Sequence, residues 1–171
     1  TMRLADEAGK IVIKGEIGTI ELRGDNVFPG YWEMPEKTAE SFRDDGFFIT
    51  GDMAREDEDG YITIVGRDKD LIISGGLNIY PKEIESLIDA HHGVTESAVI
   101  GVPHPDFGEG VVAILVADDN VTADAVMAGI SDKLAKFKQP KKILFVDALP
   151  RNTMGKVQKA VMRKEHEKMF S

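Results

Sequence analysis

Hydrophobic and polar positions along the chain fall into two regimes that meet near Asp68-Lys-Asp70. Before that point the apolar stretches are short. Lys10-Ile-Val-Ile-Lys14 and Gly18-Thr-Ile-Glu-Leu22 mix apolar and polar residues at strand spacing and are set apart by Gly15 and Gly18, which predicts sheet-edge strands. Pro35 to Phe42 predicts a short helix, with Pro at an early position and Glu36 near the positive end of the helix dipole. Asp59-Gly60 predicts a hairpin turn into the strand Tyr61-Ile-Thr-Ile-Val65.

Beyond Asp70 strands and helices alternate. Ile72-Ile73 predicts a short strand. Pro81 to Ala90 predicts a helix with Ile84, Leu87 and Ile88 on one face. Ser97 to Val102 and Val111 to Val116 are β-branched apolar runs bounded by Gly and Pro, the signature of buried strands. Thr122 is placed to cap a helix reaching Lys136, Lys142 to Val146 predicts another strand, and a last helix is expected from about Val157 to Lys168, with Val157 and Val161 on one stripe. Residues 69–171 are thus expected to form a small α+β domain, a sheet of about three strands packed by helices. Residues 1–68 are expected to be the β-rich edge of a larger domain, because their strands carry too little apolar mass to close a core.

Composition narrows the chemistry. The 171 residues contain no cysteine, which removes disulfides, thiolate nucleophiles and Cys-based metal sites. No run approaches the roughly 20 apolar residues that span a bilayer, and the start lacks a signal peptide's apolar stretch, so a soluble, cytoplasmic protein without a membrane partner is expected. The net charge of -9 argues against general nucleic-acid binding, but it is unevenly spread: residues 1 to 131 carry 10 basic against 26 acidic side chains, and residues 132 to 171 carry 11 against 4. The basic end suits a phosphate-rich ligand, or is a solvated basic helix.

Three stretches could carry chemistry. Asp52, in Ile49-Thr-Gly-Asp52, offers a carboxylate able to accept two hydrogen bonds from a ribose diol, or caps its own turn. Gly66-Arg-Asp-Lys-Asp-Leu-Ile-Ile-Ser-Gly-Gly76 sets a basic fork beside a double glycine whose backbone a ligand can approach closely. Pro150-Arg-Asn-Thr-Met-Gly-Lys156 is not a P-loop, since Pro150 stands where glycine is needed and Val157 where Ser or Thr is needed. Its Lys156 is either an ordinary exposed lysine or a mobile point charge that offsets charge developing in phosphoryl chemistry. His91, His92 and His166 lack metal-ligand spacing, the prolines around His104 favour a loop-shaping role, and no Gly-x-Ser-x-Gly elbow occurs.

In this order, the stretches resemble the C-terminal signature of the adenylate-forming superfamily of acyl-CoA synthetases, nonribosomal peptide adenylation domains and luciferases. Gly18 to Gly24 with Gly30-Tyr-Trp32, Thr50-Gly-Asp52, Gly66 to Glu85 and Pro150 to Lys156 are four such motifs, covering nearly the whole chain. Gly30 to Lys37, Ser74 to Glu85 and Leu134 to Pro140 are similar in particular to malonyl-CoA synthetases. The resemblance implies an AMP-forming acid-thiol ligase that joins a carboxylate, malonate or methylmalonate, to CoA at the expense of ATP through an acyl-adenylate. It implies that Asp52 and Arg67 hold the adenylate ribose, that Lys69 is the hinge of a mobile lid, and that Lys156 serves adenylate formation. It further implies that Ser74, Gly75 and Gly76 come to the pantetheine channel for thioester formation. The family's phosphate loop and Gly-x-Thr-Glu motif are not among these residues, so Mg2+ is expected to be held mainly elsewhere and the chain alone to be inactive. Lysines at the position of Lys156 are acylation targets in the family. The alternative implied is a recognition domain for a lysine acetyltransferase and deacetylase.

Overall fold

A computed structural model describes residues 1–171, which divide into two compact units, Thr1–Lys69 and Asp70–Ser171. The first is an antiparallel meander of β1 (Met2–Ala5), β2 (Ile17–Leu22), β3 (Phe48–Glu56) and β4 (Ile62–Arg67), in that spatial order, with the short helix α1 (Pro35–Ser41) in the β2–β3 connection. Its apolar centre is small: Leu4, Ile20 and Ala54, against which Val12, Leu22 and Ile62 pack. Polar groups supplement it. Glu21 is fully buried opposite Arg3 across the β1–β2 ladder, and it pairs with Arg3 at 2.7 Å and with Arg43 at 2.8 Å, so its charge is met on both oxygens. Arg3 also reaches Asp45, and the guanidinium holds that carboxyl below the usual carboxylate range.

The expected strand Lys10–Lys14 does not form. Asp6 accepts the Lys10 amide on its side chain, a tight turn follows at Gly9, and β2 takes the place beside β1, so the stretch keeps one bridge, Ala5 to Ile11. Ile11 and Ile13 are left exposed. The hairpin before β4 forms as expected, its loop closed by Asp57, whose carboxylate accepts the amides of Asp59 and Tyr61.

The second unit is α+β, with five strands where the sequence pattern suggests about three. The order is β6 (Leu77–Ile79), β5 (Ile72–Ser74), β8 (Gly108–Ala117), β7 (Val94–His104), and β9 (Lys142–Phe145) lies parallel to β8. β5 forms a ladder pair with β8 only at Ser74 and Gly108, while β9 pairs with β8 from Val112 to Leu115. The long β7–β8 hairpin is the spine. Both of its faces are covered: Val99, Val111, Ala113 and Leu115 face α2 (Pro81–Asp89) and α3 (Ala123–Ile130), while Ala98, Ile100, Val102, Val112 and Ile114 pack with Leu149 and with Met162 of α4 (Lys159–Glu165). Coverage of both faces is why these strands are continuously apolar rather than alternating.

Three helix limits differ from expectation. Thr122 caps α3 through the Ala125 amide, yet the helix stops at Ile130 rather than Lys136, because the Gln139 side chain binds the carbonyls of Ser131 and Leu134 and the chain turns away. α4 begins at Lys159 because Val157 is bridged to Arg151 instead, and it ends at Glu165. Val161 is exposed, so the stripe that packs is Val157 with Met162. No helix is long and apolar enough to cross a membrane.

Candidate functional site

In the first unit, Asp52 lies within β3 rather than at a strand end. Between the pairs Thr19–Met53 and Glu21–Ile49, the residues Thr50, Gly51 and Asp52 oppose Ile20 alone, which is a bulge. Gly51 supplies the left-handed backbone this requires, with φ of 73°. Thr50 stitches the bulge, donating its hydroxyl to the Ile20 carbonyl at 2.8 Å and accepting the Asp52 amide at 3.0 Å. Asp52 and Arg67 are cross-strand neighbours, and the Arg67 Nε meets Asp52 Oδ1 at 2.6 Å while a second guanidinium nitrogen donates to the Thr50 carbonyl. The carboxylate therefore caps no turn: one oxygen is oriented by Arg67 and the other makes no bond within the chain. Lys69 is exposed in the one-turn 3-10 helix Asp68–Asp70 and has no partner.

In the second unit, Ser74, Gly75, Gly76 and Leu77 form the two-residue turn joining β5 to β6. Gly75 and Gly76 have φ of 59° and 77°, the pair of left-handed residues that such a hairpin needs. A side chain at Gly76 would meet nothing within 4 Å, and at Gly75 only an ordinary contact with Phe107, so within this unit glycine is required by conformation and not by crowding. Ser74 is buried. The turn is tied to the β7–β8 hairpin by the Gly75 amide on the Phe107 carbonyl at 2.8 Å, and Glu109 accepts the Ile73 amide at 2.7 Å. His104 shapes that neighbourhood: its ring contacts those of Phe107 and Phe170, and its Nδ1 accepts the Asp106 amide.

Lys156 is at the mouth of a self-bonded loop. The Asn152 amide donates to the Lys156 carbonyl, the Gly155 amide to the Asn152 carbonyl, and the Asn152 side-chain oxygen accepts the amides of both Met154 and Lys156. Gly155, at φ of 77°, makes the turn. Val157 anchors the far side in the apolar cluster around Leu149 and Met162. The ammonium is exposed and makes no hydrogen bond or ion pair. A fixed backbone with a free cation is what a reagent for transient charge requires.

Sequence reasoning did not single out the ion pairs at this loop and at the helix that follows it. Glu85 of α2 is 7% exposed, accepts the Val99 amide at 2.9 Å and pairs with Lys159, at the start of α4, at 2.6 Å. Arg163 of α4 binds Asp70 at 2.9 Å. Arg151 bonds both Glu96 of β7 and the Gly155 carbonyl. Glu85 was detectable, since it shares the helical face of Pro81, Ile84 and Ile88; Arg151 carried no such signal. No three His, Asp or Glu side chains converge as they would to hold a metal ion.

Residues 83–156 match the family described as AMP-binding enzyme C-terminal domain, a match that ends on Lys156. A feruloyl-CoA synthase of an Amycolatopsis species is 46% identical over 95% of this chain and 33% of its own length. The long-chain-fatty-acid–CoA ligase FadD13 of Mycobacterium tuberculosis is 41% identical over 96% of this chain and 36% of its own length. Among solved structures, ATP-bound MatB from Rhodopseudomonas palustris is 59% identical and superposes with a TM-score of 0.92, covering 100% of this chain and 35% of that one. The chain thus spans about a third of the length of these relatives.

Proposed function

From a chain that carries the C-terminal domain of AMP-binding enzymes, we propose that it works as the lysine-bearing part of an AMP-forming ligase that converts a carboxylic acid, ATP and CoA into acyl-CoA, AMP and pyrophosphate. The observation that carries this is the Lys156 loop: a backbone fixed by its own hydrogen bonds that presents one unpaired ammonium. Such a cation offsets charge on the α-phosphate and on the attacking carboxylate as the acyl-adenylate forms. Asp52, aligned by Arg67, would accept the ribose hydroxyls, and the Gly75-Gly76 turn would offer backbone to the pantetheine arm in the second half-reaction, with Lys69 as the hinge between the two.

For the acid, malonate or methylmalonate is favoured by the likeness of Gly30 to Lys37, Ser74 to Glu85 and Leu134 to Pro140 to malonyl-CoA synthetases, and by the 59% identity to MatB. ATP–pyrophosphate exchange tests the whole reading. This polypeptide alone, supplied with ATP, magnesium and malonate, is expected to give no exchange, whereas a ligase in which it forms the C-terminal third exchanges in response to malonate or methylmalonate. Turnover by the polypeptide alone, or a ligase that ignores both acids, contradicts it.

The exposure of Lys156 supports a second role, as the target of a lysine acetyltransferase, since acylation removes the charge the reaction uses. Mass spectrometry after incubation with an acetyltransferase and acetyl-CoA is expected to find the modification concentrated on Lys156. Even labelling of the basic residues 132–171 contradicts specific recognition.

A further inference from the structure

The ion pairs around the Lys156 loop differ in kind. Glu85 with Lys159 is largely shielded, with 9% and 16% of the side chains exposed, and it joins two helices. Arg151 with Glu96 is more open, at 44% and 29%, in the range where an ion pair adds little to stability. Yet Arg151 has a second partner that gives it a geometric consequence. One terminal nitrogen donates to the Gly155 carbonyl at 2.6 Å, and the other meets the Glu96 carboxylate. That carbonyl belongs to the peptide between Gly155 and Lys156, so its plane sets the direction in which the Lys156 side chain leaves the loop. Glu96 lies on β7 beside the register shift that follows Val94, in the longest ladder of the unit, so the guanidinium ties the lysine's own peptide to the β7–β8 hairpin. Gly155 is the residue most in need of such a tie. It has a left-handed backbone, and a side chain there would meet nothing within 4 Å, so hydrogen bonds alone hold the peptide that follows it: Asn152 Oδ1 accepts its Lys156 amide, and Arg151 binds its carbonyl.

We infer that Arg151, held by Glu96, is a positioning residue for Lys156: it fixes the Gly155–Lys156 peptide plane and so aims the ammonium, without touching substrate itself. This rests on the reading of Lys156 given above. A guanidinium suits the task because its nitrogens are set in one plane and can bind a carbonyl and a carboxylate at once, which an ammonium cannot do with the same geometry.

The test uses the ligase that contains this chain, with adenylate formation and thioester formation from preformed acyl-adenylate measured separately. Arg151→Ala is expected to lower the rate of adenylate formation about 10–100-fold, the scale of a small misplacement of a catalytic group. Its KM for ATP should change far less, and its thioester step and thermal midpoint should stay close to those of the parent. Arg151→Lys is expected to recover little of the loss. Glu96→Gln, which keeps a hydrogen-bond acceptor, should give a smaller loss confined to the same step, and it serves if Arg151→Ala folds poorly. Equal losses in both half-reactions, or full rescue by lysine, would overturn the proposal. A crippled Lys156→Ala beside a fully active Arg151→Ala overturns this inference alone, while a fully active Lys156→Ala overturns the parent reading and this one with it.

Discussion

Lys156→Ala is expected to lower adenylate formation about 10²–10³-fold in a ligase that contains this chain, the scale measured when one preorganised charge-stabilising donor is removed. Three features of the loop make this a prediction about chemistry rather than folding. The ammonium has no partner inside the chain, so truncation strands no buried group. The hydrogen bonds that shape the loop run through the Lys156 backbone and the Asn152 side chain, both untouched by the change. Val157, which anchors the loop, is unaffected as well. The thermal midpoint should therefore match the parent, as for other exposed substitutions. Because the lysine answers charge that develops in the reaction, the loss should fall on kcat more than on the KM for ATP. Lys156→Arg keeps a positive charge but replaces a compact ammonium with a broad plane, so it should restore only part of the rate.

Within the second unit the largest effect on stability is expected at Glu85. Glu85→Ala removes a 7% exposed carboxylate that the Lys159 ammonium and the Val99 amide both use. Two groups are then left with poor access to water: an ammonium whose side chain is 16% exposed and an amide on the central hairpin. Breaking one side of a shielded pair costs about 3 kcal/mol, which for a unit of this size lowers the midpoint by roughly 12–24 °C. Glu85→Gln keeps an acceptor for Val99 and should cost less. Thermal unfolding of the polypeptide followed by far-ultraviolet circular dichroism checks both, and a shift for Glu85→Ala no greater than for an exposed control such as Glu165→Ala contradicts the assignment.

How far the sequence foretells this molecule depends on whether a signal is periodic or positional. The helix over Pro81–Asp89 and the two strands beside β9 and α4 are legible because burial imposes a period, or a continuous apolar run, on many residues at once. The four-residue β1 and the three-residue β6 are not legible, since Met2-Arg-Leu-Ala5 and Leu77-Asn-Ile79 lack the Ile-Ile or Ile-Leu-Phe run that marks the equally short β5 and β9. The ends of α3 and α4 are misjudged for another reason. The end of α3 and the start of α4 are each set by a contact several residues along the chain, the Gln139 amide in one case and the Arg151–Val157 bridge in the other, that hydrophobic periodicity does not encode. At the site, Thr50-Gly51-Asp52 was legible as a motif but not as a bulge, because its register depends on which residues of β2 it opposes. Lys156 was legible only through its neighbours in the chain. The device that aims it, Arg151 reaching across to Glu96, joins residues far apart in sequence and leaves no trace in either stretch alone.

The most direct measurement of the central claim, that Lys156 serves one half-reaction and not the other, is rapid-quench kinetics of both steps in the parent ligase and its Lys156→Ala variant. Adenylate formation should fall by about 10²–10³, while conversion of preformed malonyl-adenylate and CoA to the thioester proceeds at the parent rate. Equal losses in the two steps would contradict the account.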